Sequence, residues 1–555
     1  MNMDRDIIYP IGSPHVHKAL SLDAERPGIE ADLVQNYIRW TDFLTGVTAS
    51  HFEIAGEKYD TRVAASFADN FTAIELTGPE GKLNISLDIR VPGGPNRFGI
   101  PTMVGSNHRW TVKDRKLILS WQYNSELSSK GFYVIIRIEN TDGKISFDSE
   151  KIELREGTGL YLTVKVIKVE EAFTFDGYGA YEEDFDQTDR RMERLIERNA
   201  EILGGKMKRS AISLGRKEDS WLSGEELLEK CHSENELYPM IMDKLYDMGR
   251  FYQIVDTGDI PPMWGQHNIN TNLQVCAGNN TGLFEEMDVY FRYYESKFED
   301  FRTNARLLFN ARGLLASVHC DPDSGLLYHF SRTYPHYCWT GCLGLIYNEF
   351  WGYYLVTGDR TFLSERVVPV LKEIARAILI SNRKRGQQDD SAHGIIHRAF
   401  CSLRLKDREE FFQNMSQLIN HGFVRRNLAT AHFPYRGKFP DLQGAMPALL
   451  LEMCVYSEPG FVEFLPSLPD LYREGKIEGV WLYTFAKLEK LEWNSEALTA
   501  VIRSNKEQTI KFMLRNRISK FFINDTTAED GAESKDYTFR AGEKVTIRIE
   551  PCDLR

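Results

Sequence analysis

Eight of the 13 histidines fall between residues 267 and 432: His267, His319, His329, His336, His393, His397, His421 and His432. Several stand in loops that mix aromatic rings with amides and charges. One loop runs Trp264-Gly265-Gln266-His267-Asn268-Ile269-Asn270-Thr271-Asn272. A second holds Tyr328-His329-Phe330 and Tyr334-Pro335-His336-Tyr337-Cys338-Trp339. A third is His432-Phe433-Pro434-Tyr435-Arg436, followed by Asp441. Rings cover the C–H faces of a sugar while amides, imidazoles, guanidinium and carboxylate groups bind its hydroxyls, so this mixture suits a carbohydrate cleft. Each residue also has a plainer role open to it. A histidine at a helix start, such as His397 or His421, serves as a cap or a core donor. The Asn268-Ile269-Asn270-Thr271-Asn272 cluster reads as a solvated turn with Asx hydrogen bonds. Asp441 reads as the cap of a helix over 444–456. His393 and His397 have metal-ligand spacing on a helix, but no HExxH motif accompanies them, so neither a metal site nor a cofactor is expected.

The elements that position these residues change along the 555-residue chain. Short runs rich in β-branched and aromatic residues, punctuated by Gly, Pro, Asn and Asp, fill the first third. They include Tyr59 to Phe67, Phe71 to Leu76, Leu83 to Ile89, Leu117 to Tyr123, Gly131 to Glu139 and Leu160 to Val169, and they predict a β-sandwich over residues 1–180. A charged helix around 189–198 opens a linker over 181–234. Helical spacing then predicts helices at 236–255, 283–313, 338–356, 361–381, 391–404, 407–421 and 444–456. Together they suggest an α/α toroid, or part of one, over 235–458. The period returns to two after Pro459 and predicts a small C-terminal β domain over 459–555. The expected fold class is therefore multidomain β plus α, with a helical toroid that is incomplete if these seven helices are all it has.

Composition narrows the partners. The formal net charge is −12 and no basic block occurs, which argues against nucleic acid. No apolar run of about 18 residues predicts a membrane span. The amino terminus, Met1-Asn2-Met3-Asp4-Arg5-Asp6, has no signal-peptide core, and no CxxC pair occurs among the eight cysteines. The expectation is a cytoplasmic protein with free thiols.

Several stretches, in order over roughly residues 45–515, resemble glycoside hydrolase family 95, the α-L-fucosidase and α-L-galactosidase family. Val47 to Ile54 through Ser66-Phe67-Ala68-Asp69-Asn70 is similar to the hairpin of the family's β domain. Leu245-Tyr246-Asp247-Met248-Gly249-Arg250-Phe251 resembles "LYFQFGRYL". Pro262-Met263-Trp264-Gly265 and Asn270-Thr271-Asn272-Leu273-Gln274 resemble "PPWG" and "NINLQ". Trp339 to Leu363, with Thr357-Gly358-Asp359-Arg360, resembles the tryptophan helix ending in "TGD--FL". Phe464-Leu465-Pro466-Ser467-Leu468-Pro469 with Gly475-Lys476-Ile477-Glu478-Gly479 resembles "LLPALP---GSVKG".

The resemblance implies an N-terminal β domain, an (α/α)6 barrel, a C-terminal β region and inverting hydrolysis of a terminal α-linked sugar. Inversion places the acid and base about 6.5–9.5 Å apart, with a water between. The family's two water-orienting Asn residues match Asn270 and Asn272, and its base matches Asp441, which lies eleven residues before Glu452-Met453 as in the family. Trp264, His267, Asn268, His319, Trp339, His432 and Arg436 are the expected substrate contacts. The chain departs from the family in two places. Leu442 and Gln443 stand where the family has Gly and Asn, and the stretch at 382–391 is short where the family carries its acid in an "SPE" context. The general acid thus has no matched residue, although Glu349, Glu409 and Glu410 lie on nearby helices. Seven expected helices fall short of the twelve of a closed barrel, so the cleft is open or completed by a second subunit of a homo-oligomer. Two other readings stand beside this one. One is a non-catalytic glycan-binding relative that lost the acid segment. The other is a polysaccharide lyase, in which an Asn neutralises a uronate and His267, His319, Tyr328 or Tyr334 abstracts the C5 proton.

Overall fold

The computed structural model describes residues 21–25, 31–90, 106–123, 125, 129–148, 150–214, 222–234, 236–262, 267–268, 270–310, 312–316, 319–320, 324–326, 341–378, 391–469, 471–515, 518–524, 526–528 and 533–551. Residues 8–205 form one compact unit and residues 206–555 make up most of a second.

In the first unit, period-two apolar runs pair into two antiparallel sheets. The four-stranded sheet takes the order Ser21–Glu25, Leu83–Arg90, Lys151–Gly157, Lys144–Asp148. The eight-stranded sheet takes the order Gln35–Thr41, Thr48–Ile54, Glu57–Ala65, Thr72–Thr77, Gly159–Val169, Gly131–Thr141, Lys116–Gln122, Asn107–Lys113. Leu83, Ile85, Leu87 and Ile89 alternate inward from the first sheet and meet Leu117, Leu119, Phe132, Val134 and Leu162 of the second in one buried cluster. The result is the expected sandwich. Residues of the opposite parity on the large sheet, Ile118, Tyr133 and Ile135, pack with Phe185, Met192 and Leu195. These last three belong to the helices Gly179–Gln187 and Met192–Met207, so the charged helix read as a linker covers a sheet face.

The second unit joins helices and sheets. Its described helices of ten or more residues are Gly224–Glu234, Pro239–Asp256, Phe284–Glu295, Phe298–Phe309, Cys342–Thr357, Val368–Ile378, Ala392–Leu405, Arg408–Asn420 and Pro440–Cys454. The single helix expected over 283–313 is two. Ser296 Oγ donates to the carbonyl of Tyr293 at 2.7 Å, and such local hydroxyl bonds compete with helix continuation. The C-terminal residues form a seven-stranded sheet that also takes in Ala211–Ser213, and a four-stranded one. Met446, Leu449 and Leu450 of the last helix share one core with Val462, Phe464, Ile477 and Val480 of these sheets. No described helix is long and apolar enough to cross a membrane.

Candidate active site

Asp441 stands in the first turn of the helix Pro440–Cys454, with Pro440 at its first position. Proline suits that position because its missing N–H has no intrahelical acceptor there. The helix therefore begins four residues before the expected 444. Asp441 lies inside it as a fully buried residue, and the preceding Phe439 is the cap. The hairpin of Ala431–Phe433 with Arg436–Lys438 feeds this start. His432 is half-buried in the hairpin, its ring 4.6 Å from that of Phe439, whereas Arg436 is exposed.

Asn270 caps the short helix Thr271–Val275 without a side-chain capping bond. Asn270 and Asn272 are 9% and 5% exposed, so the solvated-turn reading does not hold. Four residues after Asn270, Gln274 Nε2 donates to Asp441 Oδ1 at 2.7 Å. The Tyr252 hydroxyl stands 3.3 Å from Gln274 Oε1 and donates to Asp256 Oδ2 at 2.8 Å. Burial holds that phenol well above its ordinary range, and the charges of Asp256 and Asp441 add to this. The bond to Asp441 itself sets the amide with its NH2 toward that carboxylate. The two helices meet this closely because residue 444 is glycine. A Cβ there would lie 2.4 Å from Gln274 Cα. Similarly, a Cβ at Gly249 would lie 2.3 Å from the carbonyl oxygen of Gln443. Pro447 lies in the same helix and supplies no N–H for that carbonyl.

The remaining expected residues divide as follows. Asn268 pairs with His319, and His267 with Cys320, in a two-stranded ribbon. Their backbones are thus brought together from positions some fifty residues apart in the sequence. Trp264 and Trp339 lie outside the described residues. Glu409 and Glu410 are exposed on the helix Arg408–Asn420. No described group of three or more His, Cys, Asp or Glu residues is arranged to hold a metal ion.

Glu349 is different. It is 3% exposed on the helix Cys342–Thr357, and burial pushes its carboxyl up to about 8 against a weak opposing bond from Asn348. Asn279 Nδ2 is 3.4 Å from its Oε2. Glu349 lines a cavity of about 520 Å³, together with Asn272, Asn348, His397, Arg404, Glu452 and Tyr483; Asp441 is not part of that wall. Glu452 is bonded to Arg404; burial nevertheless raises its carboxyl, with Arg404 opposing. Burial, then the charges of Glu349, Glu452 and Asp441, holds the Cys276 thiol well above its usual range. All three carboxylates are therefore within electrostatic reach of one cysteine. Gln274 and Glu452 had no role assigned from sequence. Gln274 stood in a quoted motif, but its partner is 167 residues away.

Residues 191–384 match the glycosyl hydrolase family 95 catalytic domain. Asn270 and Asn272 fall inside that segment, and Asp441 lies beyond its end. No curated protein matches the chain. A solved protein from the human microbiome, assigned as a kojibiose phosphorylase, is similar in fold. Its TM-score is 0.56 at 8% identity, over 94% of this chain and 88% of that one. The family GH92 α-mannosidase of Bacteroides thetaiotaomicron aligns at a TM-score of 0.30 and 10% identity, over 90% and 80% of the two chains; that score carries no argument about the fold.

Proposed function

We propose that this chain, whose residues 191–384 match the glycosyl hydrolase family 95 catalytic domain, is a divergent relative of that family and hydrolyses a terminal α-linked neutral sugar, an α-L-fucoside or α-L-galactoside, with inversion. Asp441 is the general base, and the side-chain carbonyls of Asn270 and Asn272 orient the attacking water. The water's oxygen bonds to the anomeric carbon as its proton passes to Asp441, and the glycosidic oxygen leaves with a proton from the general acid. The observation that carries this reading is the bond from Gln274 to Asp441. It ties the carboxylate to the short helix that bears both asparagines, across 167 residues of sequence.

The test is hydrolysis of p-nitrophenyl α-L-fucoside and α-L-galactoside by wild type and Asp441→Asn. Turnover should fall by a factor on the order of 10² or more with sugar binding nearly intact. Unchanged turnover removes Asp441 from the role. A non-catalytic glycan-binding reading has one observation in its favour, the short stretch at 382–391 with no match to the family's acid. Wild-type binding without hydrolysis of either glycoside would select it.

A further inference from the structure

The helix Ala392–Leu405 buries one face. Ala392, Ile395, Ile396, Ala399 and Leu403 lie in the core shared with the last helix and the C-terminal sheets. His393 and His397 stand outside that stripe, four residues apart and half-buried. On a helix this spacing sets two side chains one above the other. Here the rings meet edge to face, with centroids 4.5 Å apart and planes at 79°, and their Nε2 atoms are 3.2 Å apart. That separation has a chemical meaning. Two imidazole nitrogens bound to one transition-metal ion at about 2.0–2.1 Å stand about 2.8–3.4 Å from each other, from right-angled to tetrahedral geometry. His397 also lines the cavity of about 520 Å³ that Glu349 lines, which leaves room for the waters or solute that complete a coordination sphere. The two nearest cations on the helix are engaged. Arg398 Nε donates to Asn414 Oδ1 at 3.4 Å, and Arg404 pairs with Glu452.

We propose that His393 and His397 chelate a divalent first-row transition-metal ion, the class of Zn²⁺ and Ni²⁺, through both Nε2 atoms, with water or a solute in the remaining positions. In the neutral pair without metal, one Nε2–H donates to the other Nε2. Chelation needs both Nε2 lone pairs. The donor ring therefore moves its proton to Nδ1, its other neutral tautomer, and no net proton is released. Imidazole suits these ions and does not suit Mg²⁺ or Ca²⁺, which take oxygen ligands. Cys401 stands one further turn along the helix and lines the same cavity, but it forms no three-ligand group with the two histidines. The site is thus a two-imidazole chelate. It lies outside the proposed hydrolysis, in which neither histidine has a part.

Isothermal titration calorimetry of the untagged full chain with nickel, cobalt, manganese and magnesium chlorides tests this. Wild type should bind Ni²⁺ more tightly than Co²⁺, and Co²⁺ more tightly than Mn²⁺, and Mg²⁺ should not compete. His393→Ala and His397→Ala should each weaken the Ni²⁺ affinity on the order of 10²-fold, because a chelate becomes a single imidazole. Cys401→Ser and His421→Ala, both at exposed positions, should leave it unchanged. A second measurement guards against misfolded variants. Ni²⁺ should raise the urea midpoint of wild type progressively with its concentration and should not raise that of either histidine variant, whose metal-free midpoints report their folding. A wild type that binds no Ni²⁺ overturns the proposal. So does Ni²⁺ affinity that survives either His393→Ala or His397→Ala, which would put the ion among the other histidines. A loss on Cys401→Ser overturns it as well, since the ligand would then be a thiolate. None of these measurements uses a glycoside, so the site stands or falls separately from the hydrolase reading.

Discussion

Gln274 and Asp441 are joined by a 2.7 Å hydrogen bond between fully buried side chains, and the amide is itself steadied by Tyr252. A carboxylate in a site of low polarity is favoured in its ionised form by each donor aimed at it. Gln274→Leu removes that donor and leaves the Tyr252 hydroxyl one acceptor fewer. The expected stability loss is about 1–3 kcal/mol, read as a fall in denaturation midpoint. If Asp441 is the base, the acidic limb of the pH–rate profile moves to higher pH as well. A profile identical to wild type would mean that the bond serves packing alone.

The close approach of the two helices gives a second prediction. At Gly444 a Cβ would meet the Cα, carbonyl carbon and oxygen of Gln274 at 2.4–2.6 Å. These are backbone atoms of a neighbouring helix, which cannot step aside as a side-chain tip would. Gly444→Ala must push the Asn272 helix away from the Asp441 helix, at a cost of about 1–3 kcal/mol or more. Thermal unfolding reads the cost. Any hydrolytic activity should fall further than stability explains, because Asn270 and Asn272 move with the displaced helix.

Arg250 would be an easy residue to misassign. It lies in the motif Leu245 to Phe251 and carries a guanidinium. In the structure it is 1% exposed, and its guanidinium donates to the carbonyls of Met207, Ser210 and Lys206 at 2.5, 2.5 and 2.9 Å. It is a bracket for the chain at 206–210. Arg250→Met strands two buried acceptors and one part-buried one, and the expected loss is on the order of 3 kcal/mol. Soluble yield and denaturant midpoint should drop together.

These cases mark how far the sequence could be read. The sandwich was legible because period-two runs such as Leu83 to Ile89 meet a matching face, and periodicity records which side is wet. Asn270, Asn272 and Asp441 stood out as polar residues in or beside aromatic loops, and the ordered motifs gave them roles, but no local pattern encodes a contact across 167 residues. Gln274 carried no signal of its own for the same reason. The break at Ser296 was hidden because the apolar period runs on through it. Glu349 did leave a trace. The helix from Cys342 is apolar nearly all round, and a carboxyl on such a helix has little choice but burial.

That burial makes the last prediction. The Glu349 carboxyl moves from an ordinary 4.5 up to about 8 in the folded protein. Between those values the native state holds a proton that the unfolded chain has released, so folding is penalised increasingly as pH rises. The stabilising neutral form is fully in place below about pH 4.5. Its advantage is lost steadily up to about pH 8, after which the curve flattens. The shift corresponds to a loss on the order of 5 kcal/mol across that window. Glu349→Gln is isosteric with the protonated acid and cannot ionise. Its unfolding free energy should therefore show a much shallower slope between pH 5 and about 8, and it should exceed wild type at the alkaline end. Urea denaturation at half-unit pH steps would resolve the two slopes. Parallel curves for the two proteins would mean that the Glu349 carboxyl is ionised in the native state, with its charge compensated within the cavity wall.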